Sequence, residues 1–209
     1  MTDIARPRAG RPTAEQAQAR QGELLDAALD MFLEQGFELT TMEAVAASVG
    51  MTKRTVYARY PDKAALFLAS VQRAIERSIT PLDGIDDSDL EAALIAIARL
   101  RVGNVMTPQG LRLQRIINTE SYRFPAIFSM AYDQATKPVI DVLAALLRKH
   151  DAAGTIRLDR PDMAANVFMS MAVSGPVRII VSGNALDPRD IEDRIVFAVR
   201  LFLDGARPR

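Results

Sequence analysis

No stretch of this chain alternates apolar and polar residues with a period of two for long enough to line one face of a strand. Apolar residues recur instead at steps of three and four. Leu25, Ala28, Leu29 and Phe32 form one stripe on a helix expected over 14–35, and Ile191, Ile195, Val199 and Phe202 form another over 189–203. Between them the pattern is cut by caps and breakers. Gly36 is placed to end the first helix, Thr40 or Thr41 to cap a second that Gly50 stops, and Thr52 to cap a third that Pro61 ends near Tyr60. Asp62 is placed to cap a fourth over 63–79. Further helices are expected over 90–105, 108–119, 124–150 and 162–182, with kinks at Pro138 and at Gly175-Pro176. The expectation is an all-α protein of about nine helices and no sheet.

The remaining bulk properties narrow the chemistry. The 209 residues carry 26 basic and 26 acidic side chains, so a polyanionic partner must be met by a local patch rather than by net charge. There is no Cys and a single His, His150, which excludes disulfides, thiolate sites and a multi-histidine metal centre. No cofactor is expected. His150, between Lys149 and Asp151, reads as a solvated residue at a helix end. No apolar run reaches the ~18 residues of a spanning helix, and residues 1–13 lack the apolar middle of a signal peptide. A soluble, cytoplasmic protein is expected, with no membrane partner.

Local charge is uneven. From Ala44 to Pro61 there are three cations, Lys53, Arg54 and Arg59, and no acid. Two short helices joined through Gly50 make a helix-turn-helix, whose second helix can put its N-terminal half into a DNA major groove. Lys53 and Arg54 then stand where side chains reach base edges, and Thr55 can offer a hydroxyl or methyl. Val56 faces inward as the anchor. Tyr57 can donate to a phosphate, and Lys63 stands at a helix N-terminus that already favours an anion. The alternative for the same residues is a short amphipathic helix with a solvated basic face.

Residues 22–67, "GELLDAALDMFLEQGFELTTMEAVAASVGMTKRTVYARYPDKAALF", resemble the DNA-binding domain of the tetracycline-repressor (TetR) family. The likeness rests on Ala28, Phe32, Gly36 and Phe37, the Thr-Thr before helix two, Val45-Ala46, Gly50, Thr52, Tyr57, Tyr60 and the run "PDKAALF". It implies a homodimeric transcription regulator on a palindromic operator. It also implies that Thr41 and Lys63 contact phosphates, that Tyr57 contacts a phosphate or thymine methyl, and that Lys53, Arg54 and Thr55 face bases, beside the cap Thr52. Arg54 and Arg59 depart from the residues common at their positions, so the operator cannot be borrowed from relatives. The "AGRPT" stretch resembles the arm before helix one, which makes Arg11 a further candidate. Residues 1–13 are expected to form a basic arm, 14–62 the DNA-binding domain and 63–209 a regulatory and dimerisation domain, with helix 63–79 connecting the two.

The second part is less distinctive. "LRLQRIINTESYRFPAIFSMAYDQA", with Arg115, Glu120, Arg123, Phe124 and Pro125, resembles a subset of that family, the AefR-like members. The TetR-family resemblance implies that this part dimerises and holds a small-molecule effector, and the AefR-like likeness adds little about that ligand. Kinked helices pack imperfectly and leave room for a cavity, and Leu113, Ile116, Ile117, Phe128, Tyr132 and Phe168 are the candidate lining. The helices at 162–182 and 189–203 are more apolar than one buried face needs. Ile191, Ile195, Val199 and Phe202 are therefore candidates for a dimer interface. Two other readings stay open at this level: a helical enzyme with Glu120 as base, and an architectural DNA binder without an effector.

Overall fold

The computed structural model describes residues 13–182 and 187–206. Regular structure among them is helical throughout. The chain divides into two compact units between Ser70 and Val71, within a single helix.

In the first unit, α1 (Ala14–Leu39) begins on a capping box: the Thr13 hydroxyl accepts from the Gln16 N–H at 3.2 Å, and the Gln16 side chain accepts from the Thr13 N–H at 3.1 Å. Gly36 does not end the helix outright. It leaves helical geometry at φ 82° and ψ 168°, and one more turn follows to Leu39. That kink returns Phe37 onto Phe32, whose rings stack at 5.7 Å, while Phe67 meets both edge-on at 4.8 and 5.5 Å. The buried Thr40 hydroxyl donates to the Met31 and Gly36 carbonyls and so closes the kinked end. Two short helices follow, α2 (Met42–Ser48) and α3 (Lys53–Tyr57), and then α4 (Lys63–Ser78), which the Asp62 carboxylate caps by accepting from the Ala65 N–H at 2.7 Å. The third helix is shorter than the 53–60 expected, since the chain turns out of it before Pro61.

The second unit holds the rest of α4 and α5 (Leu90–Met106), α6 (Pro108–Glu120), α7 (Pro125–Ala131), α8 (Lys137–Ala152), α9 (Pro161–Met169), α10 (Gly175–Val181) and α11 (Pro188–Ala206). α8 packs on α9, and α11 on α5. Leu94, Ile97, Leu143, Leu147, Phe168, Ile195 and Val199 are fully shielded at the centre. The two expected kinks take a specific form. A π turn, Tyr132–Thr136, joins α7 to α8, and another, Ser170–Ser174, joins α9 to α10. In the first the Lys137 N–H reaches the Tyr132 carbonyl five residues back; in the second the Gly175 N–H reaches Ser170. Each turn ends just before a proline, Pro138 or Pro176, whose ring would collide with the carbonyl four residues earlier in a regular helix. One extra residue per turn lets the helix run on past it.

Two expectations are corrected here. Ile191, Ile195 and Val199 are buried in the subunit's own core, and Phe202 packs against that core with its ring edge-on to Phe168 at 5.4 Å. Ile191, Ile195 and Val199 stabilise the single chain and offer no surface to a second one, while Phe202 is half-buried. The apolar side chains that α11 does expose are Phe197, at 67%, and Leu201, at 55%. His150, for its part, is buried rather than solvated. Its Nε2 donates to the Asp87 carbonyl at 3.0 Å and its Nδ1 lies 3.1 Å from the Thr155 hydroxyl, so it fastens the connector before α5 to the end of α8.

Candidate nucleic-acid interface and ligand cavity

The helix-turn-helix is assembled by short-range chemistry. The Thr41 hydroxyl accepts from the Ala44 N–H at 3.1 Å and starts α2. Gly50, at φ 62°, makes a turn that side-chain-bearing residues adopt at a cost, and the Met51 N–H returns to the Ala46 carbonyl at 2.8 Å. The Thr52 hydroxyl accepts from the Thr55 N–H at 3.2 Å and starts α3. Val56 is completely buried and fixes which face of α3 looks inward. The Tyr60 hydroxyl, 3.0 Å from Gln21 Nε2, ties the end of this motif back to α1.

Lys53, Arg54, Thr55 and Tyr57 are exposed as a result, Tyr57 at 40%. Arg54 and Arg59 have no carboxylate partner among the described residues. The other polar groups are already engaged. Lys53 is paired with Glu43 of α2 and lies 5.3 Å over the Tyr57 ring. The hydrogen bond to Lys53 holds the Glu43 carboxyl below its ordinary pKa, and the same bond raises that of Lys53. The Thr52 and Thr55 hydroxyls are hydrogen-bonded to each other at 2.8 Å. Lys63 donates to the Glu38 carbonyl at 3.0 Å and sits 4.5 Å over the Phe37 ring. The expected surface residues other than Arg11, which lies outside the described residues, thus share one unit. The Glu43–Lys53 pair was not foreseen; an acid in the first turn of α2 and a lysine at the start of α3 are its sequence signal.

The second unit contains a cavity of about 400 Å³, within the ~300–1,000 Å³ usual for small-molecule sites. Of the expected lining, Leu113, Ile117, Phe128 and Tyr132 are in its wall. Ile116 and Phe168 are not: both are buried in apolar packing, Phe168 against Phe202. Both π turns reach it, through Tyr132, Ala135 and Thr136 on one side and Val173 and Ser174 on the other. The wall where α5 meets α6 depends on a close approach. A Cβ on Gly110 would stand 2.2 Å from the Asn104 carbonyl oxygen, so only glycine fits. Thr107 stitches the same corner, donating to the Asn104 carbonyl at 2.8 Å and accepting from the Gly110 N–H at 3.0 Å. Arg101, Asn104 and Arg178 also line the cavity. For Arg101 and Asn104 the signal in the sequence is a pair of polar residues three apart on α5.

No helix among the described residues is long and apolar enough to cross a membrane, and no cluster of metal-ligating side chains occurs among them. Residues 24–70 match the family model for bacterial regulatory proteins of the tetR family, and residues 92–205 match the C-terminal domain of AefR-like transcriptional repressors. The HTH-type transcriptional regulator SrpR of Pseudomonas putida is 26% identical over 152 residues, spanning 71% of this chain and 69% of SrpR. The uncharacterized regulator TtgW, also of Pseudomonas putida, is 32% identical over 110 residues, 51% of this chain and 78% of TtgW. Among solved structures, the flavonoid-responsive regulator FrrA matches with a TM-score of 0.73 at 31% identity, covering 92% of this chain and 99% of FrrA. With both domain models matched in order along an all-helical chain, the protein belongs to the TetR family and is a DNA-binding transcriptional regulator of repressor type.

Proposed function

We propose that the protein acts in the cytoplasm as a homodimeric repressor, released from a palindromic operator when a small, largely apolar effector enters the cavity of the second unit. The observation that carries this reading is the cavity itself, walled by two π turns and by the last turns of α4 at Ile75 and Ser78. α4 begins at Lys63, beside the reading residues, so the helix that feels the ligand is continuous with the one that carries a phosphate contact. A ligand that binds one arrangement of α4 better than another shifts the population of DNA-competent heads. FrrA, which is flavonoid-responsive, adds support for an effector with an apolar ring system.

On DNA, Arg54 with Lys53 and Thr55 reads bases, while Thr41, Tyr57 and Lys63 hold phosphates; Thr52 orders the start of α3, and Arg11 and Arg59 add charge at the margins. The dimer forms through the exposed apolar residues of α11, Phe197 and Leu201, four apart on one face, with Met163 and Val167 of α9, which are also exposed. A two-fold axis there matches the symmetry of a palindrome.

Sedimentation of wild type and Phe197→Glu tests the assembly. Wild type is expected as a dimer at low micromolar concentration and the variant as a monomer of unchanged helicity, because the new charge lacks a partner and faces its own symmetry copy. DNA affinity falls with it, since one head grips half an operator. A wild-type monomer that binds operator DNA, or a variant that stays dimeric, overturns the proposed pairing.

A further inference from the structure

The cavity's charged groups are of one sign, among neutral amides and hydroxyls such as Gln114, Asn118 and Tyr132. Arg101, Asn104 and Arg178 line it, and no aspartate or glutamate does. Arg101 Nε and Asn104 Nδ2 are shielded from solvent and meet no acceptor. These two residues are three apart on α5 and so share a face. Their neighbour gives the contrast: Arg99, on the other side of the helix, is paired with Glu192, Nε to Oε2 at 2.9 Å. Neither Arg101 nor Arg178 has such a partner among the described residues. Burial pushes the Arg101 guanidinium below its ordinary pKa, yet a guanidinium stays charged in a protein. A shielded, unmatched cation is costly unless something brings it an anion.

The geometry points to an organic carboxylate as the ligand of this cavity, with its oxygens on Arg101 and Asn104, its apolar body against Leu113, Ile117 and Phe128, and Arg178 at the rim. The planar guanidinium fork fits two carboxylate oxygens better than any single-atom acceptor. The Asn104 amide is held for the purpose, because Thr107 and Gly110 lock the backbone at its end of α5. The volume of about 400 Å³ suits an acid with a two- or three-ring body rather than a short fatty acid or an inorganic ion. This deepens, and rests on, the reading of the cavity as the effector site.

The test uses the full-length protein and a matched pair of probes, 2-naphthoate and its neutral isostere 2-naphthamide, titrated by calorimetry. Wild type is expected to bind the acid at least about tenfold more tightly than the amide, the scale of one charge-assisted contact. Arg101→Gln should erase that preference while changing amide binding little, and Arg101→Lys should restore part of it. Asn104→Leu should weaken the acid by a smaller factor. Circular dichroism verifies that each variant keeps its helices. Equal binding of acid and amide by wild type overturns the inference, as does a preference that survives Arg101→Gln or no binding of the acid below millimolar concentration. Release of operator DNA is read in the same samples and separates the two claims. If the amide binds equally and releases DNA, the effector site stands and acid recognition fails. If the acid binds through Arg101 without releasing DNA, acid recognition stands and the effector role fails.

Discussion

In the first unit every helix starts on a side chain chosen for the purpose: Thr13, Thr41, Thr52 and Asp62 each accept from a backbone N–H two or three residues into the turn. In the second unit, α7 and α9 start on Pro125 and Pro161 with no side-chain cap, and two helices continue through π turns. The first unit sets every helix start within a few residues of its joint and adds distant contacts such as Phe67 on Phe32. The second keeps such caps at α5 and α6, through Asp89 and Thr107, and relies elsewhere on packing between residues far apart in the chain, such as Phe168 with Phe202 or Arg99 with Glu192. A DNA-binding head gains from local locks that fix its surface. For the effector-driven rearrangement proposed above, helices that can trade one turn type for another are the better material.

The sharpest way to break the contrast is at Ile195. This residue is 1% exposed at the centre of the second unit, two positions before Phe197 at 67%. Ile195→Glu should cost more than ~4 kcal/mol, because it buries an unpaired carboxylate and removes core packing. Thermal melting by circular dichroism should show severe loss of stability for Ile195→Glu and near wild-type melting for Phe197→Glu at matched oligomeric state. Equal melting of the two would mean that α11 is rotated from the position described.

That pair also marks where the sequence stops being legible. A period of three and four places Ile191, Ile195, Val199 and Phe202 on one stripe, and stripe membership is correct. What covers the stripe is a different question, since a chain's own core and a second copy are equally apolar. The helix-turn-helix was readable because caps, Gly50 and Pro61 act on their neighbours. Leu113, Ile117, Phe128 and Tyr132 were readable as lining because kinked helices leave space, whereas Ile116 and Phe168 differ from them only in which way they point. Arg101 went unread because a cation in a helix is ordinarily solvated, and only the packing shows that its Nε is shielded and meets no acid.

A smaller effect is expected within the first unit. Phe67 is 1% exposed and makes both edge contacts of the aromatic trio. Phe67→Ala should destabilise this unit by ~3–5 kcal/mol, and chemical denaturation monitored by helicity measures it. Were local caps alone sufficient, the loss would stay under ~1 kcal/mol, the scale of a single cap. That outcome would show that the trio does not stabilise the head.

The smallest expected effect concerns the reading surface. Glu43 holds Lys53 and places a negative charge beside the face proposed for DNA. Glu43→Gln frees that lysine for its base contact and removes the repulsion, so DNA affinity should rise, more for operator than for random sequence, with the log–log salt slope steeper by up to ~0.9 where Lys53 also neutralises one phosphate. The pH dependence has a definite sign. Glu43 has a lowered pKa in the folded protein, so the pair is complete above the ordinary carboxylate value of 4.5 and is lost as pH falls through the lower folded value. Wild-type affinity should therefore climb towards that of Glu43→Gln as the pH drops below 4.5, while the difference between the two stays constant above it. Fluorescence anisotropy on both proteins across salt and pH gives the answer. If Glu43→Gln instead binds operator more weakly with an unchanged slope, then the acid orients Lys53 for a base contact, and the pair is part of the reading surface rather than a restraint on it.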